Sequence, residues 1–185
     1  CLNSAGRGAF SSVQQARINK TEWFFTDRND FMQQLVVDIA KLIKKANKQG
    51  LKPLVRLNGT SDIRWETIGF TDVSGIEYVN IFAAFPDVTF YDYTKIANRT
   101  ELPSNYDLTF SYSGVEGFQP FVQKALLNNM RMAVVFRKEQ DIPMTFMGIP
   151  VVSGDNSDVR HLDDKVIVGL YAKGKAKLDT TGFVV

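Results

Sequence analysis

Apolar residues recur along this chain at two spacings, one helical and one extended, and their succession sets the expected fold. Phe31, Leu35, Ile39 and Leu42 follow one another every third or fourth residue, with Val36 and Ile43 widening the stripe. That spacing predicts an amphipathic helix over 28–49. Thr26 and Asp27 offer N-cap oxygens, Lys44, Lys45 and Lys48 suit the C-terminal dipole, and Gly50 suits the residue just past the end. A shorter helical pattern over 9–20 rests on Phe10, Val13, Ala16 and Arg17. Beyond it, short apolar runs at 53–57, 88–91, 106–112, 132–136 and 166–171 read as strands, with Val151 and Val152 as a stub. Helical stretches are expected over 76–85, stopped by Pro86, and over 117–129, with Pro120 in the first turn. Strands alternating with helices require crossover connections, so the sheet is expected to be mostly parallel. No repeat or linker divides the sequence, and residues 1–185 read as a single α/β domain.

Composition narrows the classes. Of 185 residues, 44% are hydrophobic and 23% charged, which excludes disorder and low-complexity polymers. The net charge of +2 argues against a general polyanion binder while leaving room for a local basic patch. No apolar run approaches the length of a membrane span, so no membrane partner is expected. The chain begins with Cys1 rather than Met and has no charged-then-apolar leader, so it reads as a front-truncated fragment. Cys1 is the sole cysteine, which excludes an intrachain disulfide and points to a reducing, cytoplasmic setting.

In parallel α/β folds ligands gather at the carboxyl ends of the strands. By that rule the strand ends deliver Asn58, Gly59, Thr60, Ser61, Asp62, Arg64 and Glu66, then Asp92, Tyr93, Thr94 and Lys95, then Ser111, Tyr112 and Ser113. Arg137 and Lys138 follow, then Ser153, Asp155, Asn156, Asp158, Arg160 and His161, and finally Lys173 and Lys175. A hydrogen-bonded pocket for a small molecule needs such side chains, although loops are polar in any protein. Candidate acid–base groups are Asp62, Asp92, Lys95 and Asp155. Candidate ligand-holding groups are Asn58, Gly59, Thr60, Ser61, Ser111, Ser113, Asn156 and Arg160. The Asn58–Asp62 loop suits either an anion-binding nest or an Asx turn. Ser153-Gly154-Asp155-Asn156-Ser157-Asp158 resembles the start of a calcium loop but lacks the spaced bidentate Glu. His161 reads as a capping or salt-bridged residue beside Asp158, Asp163 and Asp164. Trp23, Phe24, Phe25, Tyr91 and Tyr93 read as core rather than as a base-stacking surface. Ser113-Gly114-Val115-Glu116-Gly117 is followed by no P-loop Lys-Ser or Lys-Thr pair.

Particular strings also resemble a known family. They are Cys1-Leu2 with Ala5-Gly6-Arg7-Gly8, Arg17 and Lys20-Thr21, then Arg56-Leu57-Asn58-Gly59-Thr60-Ser61-Asp62-Ile63 with Trp65-Glu66. Phe90-Tyr91-Asp92-Tyr93-Thr94-Lys95, Tyr106 with Leu108-Thr109-Phe110-Ser111-Tyr112-Ser113, and the Ser153–Asp158 string complete the set. Together they resemble, over essentially the whole chain, the tailed-phage and prophage proteins of the Gene product 88 family. The resemblance implies the cytoplasm of a bacterial host and carries no reaction with it.

It also implies further cysteines before Cys1, which would make Cys1 a thiolate ligand of a metal site, iron–sulfur or zinc. A strand and cysteine loop placed before Cys1 would complete a six-stranded, TIM-like partial (β/α) barrel. That architecture resembles radical S-adenosylmethionine enzymes, with a [4Fe–4S] cluster in the first loop. In that reading Asn58–Asp62 meets the methionine amine, and Ser111 and Ser113 meet the ribose or carboxylate. The 185 residues alone, with one thiolate, are expected to hold no assembled cluster, and the missing strand would leave an open front edge. Three other readings stand beside it. One is a non-catalytic binder of nucleic acid or a host factor. The second is an enzyme using Asp62, Asp92 or Asp155, with a carboxylate of raised pKa in the cleft. The third is a zinc-stabilised structural module.

Overall fold

The computed structural model describes residues 6–185. Helix α1 (Ser11–Thr26) runs into α2 (Arg28–Lys48) through the single residue Asp27, whose side chain accepts a hydrogen bond from Asp30 N–H. Gly50, at φ +67°, ends α2: its N–H donates to Asn47 O while Leu51 N–H reaches back to Ala46 O, the paired bonds of a Schellman cap. The buried stripe of α2 is rotated from the one expected. Met32 is fully buried with Ile39 and Ala46, whereas Leu42 is exposed.

The strands are β1 (Leu54–Val55), β2 (Phe70–Thr71), β3 (Glu77–Tyr78), β4 (Thr89–Thr94), β5 (Tyr106–Ser111), β6 (Met132–Phe136), β7 (Thr145–Phe146), β8 (Ile149–Ser153) and β9 (Ile167–Tyr171). Helices α3 (Ile81–Ala84) and α4 (Gln119–Leu127) lie between them. Seven strands form one sheet in the order β1-β4-β5-β6-β9-β8-β7, every pair parallel except β7 with β8. The expected mostly parallel α/β sheet is therefore present.

Its details depart from the expectation in three places. First, β9 lies between β6 and β8, so strand order breaks from chain order, and the edges β1 and β7 do not pair to close a barrel among the described residues. Second, the helix expected over 76–85 shrinks to α3. Asp72 Oδ1 accepts from Ser74 N–H and Ile76 N–H and Gly75 takes φ +82°, which turns this stretch into the β2–β3 hairpin. Third, the stub at Val151 and Val152 is a full strand, β8. The strand expected before Cys1 lies outside the described residues. No helix among the described residues is long and apolar enough to cross a membrane.

Strand alternation assigns the two faces. Val55, Phe90, Tyr106, Leu108, Phe110, Met132, Val134, Phe136 and Ile167 point to the helix-covered face. There they pack as two clusters, one under α2 and α3 and one under α4. The opposite face carries Tyr91, Tyr93, Asp107, Thr109, Ser111, Ala133, Val135 and Leu170, and the short 3-10 turn Arg160–Leu162 packs on it beside β5.

Candidate functional site: a cleft across the strand ends

A cleft of about 720 Å³ opens on that face at the carboxyl ends of the parallel strands. That volume lies within the range of small-molecule sites. Arg56 and the loop residues Gly59 and Thr60 line it after β1, Tyr93 from β4, Ser111 from β5, and Ala133 and Val135 from β6. Residues 154–158 close it after β8, Leu170, Tyr171 and Lys173 after β9, and Phe183 from the segment after that strand. The Arg56 guanidinium lies 4.7 Å from the centre of the Tyr93 ring. Burial raises the pKa of the Tyr93 hydroxyl, with Arg160 opposing the shift and Asp158 adding to it. At the rim Asp155 is paired with Lys173 and also accepts from Tyr171 N–H at 3.1 Å. The cleft thus has aromatic and aliphatic walls and carries charges of both signs.

The loop after β1 is built around Asn58. Its Oδ1 accepts from Ser61 Oγ, Ile63 N–H and Trp65 Nε1 at 2.9–3.0 Å, and its Nδ2 donates to Ile63 O at 3.0 Å. The side-chain turn expected for this loop is present. Asn58 N–H donates at 2.8 Å to Asp92 Oδ1, which ties the loop to β4. Asp92 also accepts from Tyr106 Oη at 3.1 Å and lies 3.9 Å from Arg56 Nε. Burial pushes the Asp92 carboxyl up to about 6 despite these donors. It is the raised carboxylate expected of an acid–base site, but it points to the helix side and does not line the cleft.

Asp62 and Lys95 belong to a second network beneath the loop. Asp62 accepts from Thr94 Oγ1 at 2.7 Å, Lys95 N–H at 2.6 Å and Arg99 Nη1 at 3.1 Å. Arg99, whose side chain is 0% exposed, grips Glu66 with two donors at 2.9 and 2.6 Å and reaches Tyr106 Oη at 3.1 Å. Burial raises Glu66, but Arg99, a backbone N–H and Arg64 together outweigh it and hold the carboxyl below its ordinary value. Lys95 Nζ donates to Ser111 O and Tyr112 O at 2.7 and 3.0 Å, and stands 4.9 Å from the rings of Phe118 and Phe183. Burial lowers this amine to about 8, partly opposed by Asp62.

On the far side, Arg160 is buried, bonded to Ser157 O and ion-paired at 3.0 Å with Asp163. His161 was expected to cap or to pair with an aspartate; Asp163 pairs with Arg160 instead, and His161 Nδ1 is buried without a hydrogen-bond partner among the described residues. Arg131 crosses from β6 to Asp107 and Thr109 and to the carbonyls of Arg160 and Asp163, fixing this loop to the sheet.

Of the residues singled out at the strand ends, the cleft brings together Gly59, Thr60, Tyr93, Ser111, Asp155, Asn156, Asp158 and Lys173. Asn58, Asp62, Asp92 and Lys95 lie behind it as its scaffold, joined through Ser61 and Arg99, while Ser113 and Arg160 are buried outside its lining. Cys1 lies outside the described residues. Among those residues no group of three or more His, Cys, Asp or Glu is placed to hold a metal ion, and Asp155 in the calcium-like string is committed to Lys173. Sequence reasoning passed over Arg56 and Phe183 as site residues; it placed Tyr93 at a strand end, where the cleft has it, while also reading its ring as core. The signal for Arg56 was an arginine inside an otherwise apolar strand run, one residue out of step with the buried Val55.

These features define an α/β protein with a mostly parallel sheet and a cleft across its strand ends. The chain matches the Gene product 88 family over residues 1–185 and belongs to that family, which supports the phage or prophage setting. No curated protein and no solved structure matches it.

Proposed function

We propose that the chain binds a small, zwitterionic nucleoside-like molecule in this cleft, S-adenosylmethionine being the first candidate. The observation that carries the reading is the cleft's lining: the Arg56 guanidinium over the Tyr93 ring, the carboxylates of Asp155 and Asp158, and the ring of Phe183. Arg56 suits a carboxylate, Asp158 suits an ammonium or sulfonium, and Tyr93 and Phe183 suit a purine. Carboxylates at the rim and a net charge of +2 favour such a ligand over a nucleic acid.

S-adenosylmethionine in the radical enzymes works beside a [4Fe–4S] cluster held by cysteine thiolates. These 185 residues contain one cysteine, so the donor set does not fit a cluster. What the chain's own residues do is bind and orient. Asn58, Asp62 and Arg99 fix the loop that presents Gly59 and Thr60, while Arg131 fixes the loop that presents 154–158.

Isothermal titration with S-adenosylmethionine, adenosine and methionine tests the reading. Charge-assisted bonds are worth about 1.5–3 kcal/mol, so Arg56→Ala should weaken binding by roughly tenfold or more. Tyr93→Ala should weaken adenosine more than methionine. No heat with any of the three, or affinities indifferent to both substitutions, overturns the proposal.

A further inference from the structure

The sheet splits between the carboxyl ends of β5 and β6. β5 pairs with β6 only as far as Ser111 opposite Ala133, while β6 continues beside β9 to Phe136 opposite Tyr171. Ala133 O accepts from Tyr112 N–H, and the next carbonyl on that side, Val135 O, accepts from Val185 N–H at 2.9 Å. Val184 bridges Val135 in parallel, so residues 182–185 fill the place that β5 vacates.

This segment forms part of the cleft. Phe183 lines it and stands 4.9 Å from Lys95 Nζ, the amine bonded to the end of β5. Asp179 anchors the segment through Val184 N–H at 3.1 Å and Thr181 Oγ1 at 2.7 Å. Gly182, at φ +91°, turns it inward so tightly against Gly114 that a Cβ there would come within 2.6 Å of Gly182 O. Its backbone attachment to the sheet is slight, one bond and one bridge against five paired positions between β6 and β9, and its only buried side chain is Val184.

We propose that residues 182–185 form a displaceable strap over the cleft. Its release opens the slot between β5 and β6 and uncovers the Lys95 amine. The inference builds on the reading of the cleft as a ligand site, but it is tested without a ligand. Reductive methylation with formaldehyde and amine–borane, followed by peptide mass spectrometry, reports how often Lys95 is uncovered. In the unaltered chain Lys95 should react about tenfold or more slowly than Lys41, whose side chain is 71% exposed. Val185→Pro removes the N–H that holds Val135 O and should bring Lys95 close to the Lys41 rate. Phe183→Ala, which leaves the backbone bond in place, should raise the Lys95 rate through loss of its cover, and it decides the question if the proline variant does not fold. Lys95 reacting as fast as Lys41 in the unaltered chain, or protection unchanged in the folded variants, overturns the strap. Faster labelling in the variants with no S-adenosylmethionine binding to any of the proteins supports the strap and counts against the ligand reading alone.

Discussion

Replacing Arg99 with methionine tests whether the network behind the cleft holds the molecule together. The guanidinium is fully buried and donates to Glu66, Asp62, Thr94 and Tyr106 at 2.6–3.4 Å. Methionine keeps most of the apolar stem and removes every donor. Glu66, with a side chain 7% exposed, then keeps only the half-exposed Arg64, at 3.4 Å, as a charged partner. Removing one partner of such a pair costs about 3–5 kcal/mol. At about 2–4 °C per kcal/mol for a chain of this size, the melting temperature should fall by roughly 10 °C. Urea unfolding followed by tryptophan fluorescence gives the free energy directly, Trp65 lying in the cluster beneath this loop. The pH dependence is the sharper control. Because the folded Glu66 carboxyl is held below its ordinary 4.5, its contribution is present above that value and is lost as the pH falls through the lower folded one. The gap between the unaltered protein and Arg99→Met should therefore narrow below about pH 4. Adding Glu66→Gln to Arg99→Met should recover part of the loss, since it removes the stranded charge. A loss under about 1 kcal/mol at neutral pH, or a gap that stays constant into acid, would refute the reasoning.

Asp92→Asn should flatten the stability profile between about pH 4 and 6.5. The folded carboxyl is raised from 3.8 to about 6, so its contribution is complete below the unfolded value and declines by up to about 3 kcal/mol as the pH rises through the folded one. Urea midpoints that slope equally for both proteins across that window would contradict this. Asn58→Ala should cost about 2–3 kcal/mol, because three donors lose one acceptor, and it should shift Trp65 emission in a folded protein. Gly154→Ala should destabilise by about 1–3 kcal/mol in thermal melts, since its Cβ would lie 2.3 Å from Val168 Cγ1 and 2.8 Å from Leu170 Cδ2. An unchanged melting temperature would mean that the cleft floor yields freely.

The parts of the fold that the sequence shows best depend on near neighbours. α2 is visible from its stripe and caps, and β6 spans the predicted residues 132–136. The β2–β3 hairpin was hidden because its strands are only two residues each and its turn depends on one aspartate side chain. The insertion of β9 between β6 and β8 has no local signature, since both candidate neighbours are short apolar strands. In the site, the strand-end rule found the loops but not the orientation of their side chains. Tyr93 and Asp92 are adjacent, and alternation sends the tyrosine to the cleft and the carboxylate to the helix side, the reverse of what hydrophobicity alone suggests. Arg99 went unnoticed because its partner Glu66 lies 33 residues away and no spacing marks the pair.

The two apolar clusters meet along a single strand: Tyr106 and Leu108 of β5 belong to one, Phe110 to the other. Such a division sets up two cooperative units that share one wall, each able to open with a free energy below that of global unfolding. Arg56, Gly59, Thr60 and Tyr93 come from the first unit, and Ala133, Val135, residues 154–158 and Lys173 from the second. A bound molecule touching both would raise the opening free energy of each by the same mass-action increment. Amide exchange in the two halves, independent in the free protein, would then slow together, making the ligand a weld between them.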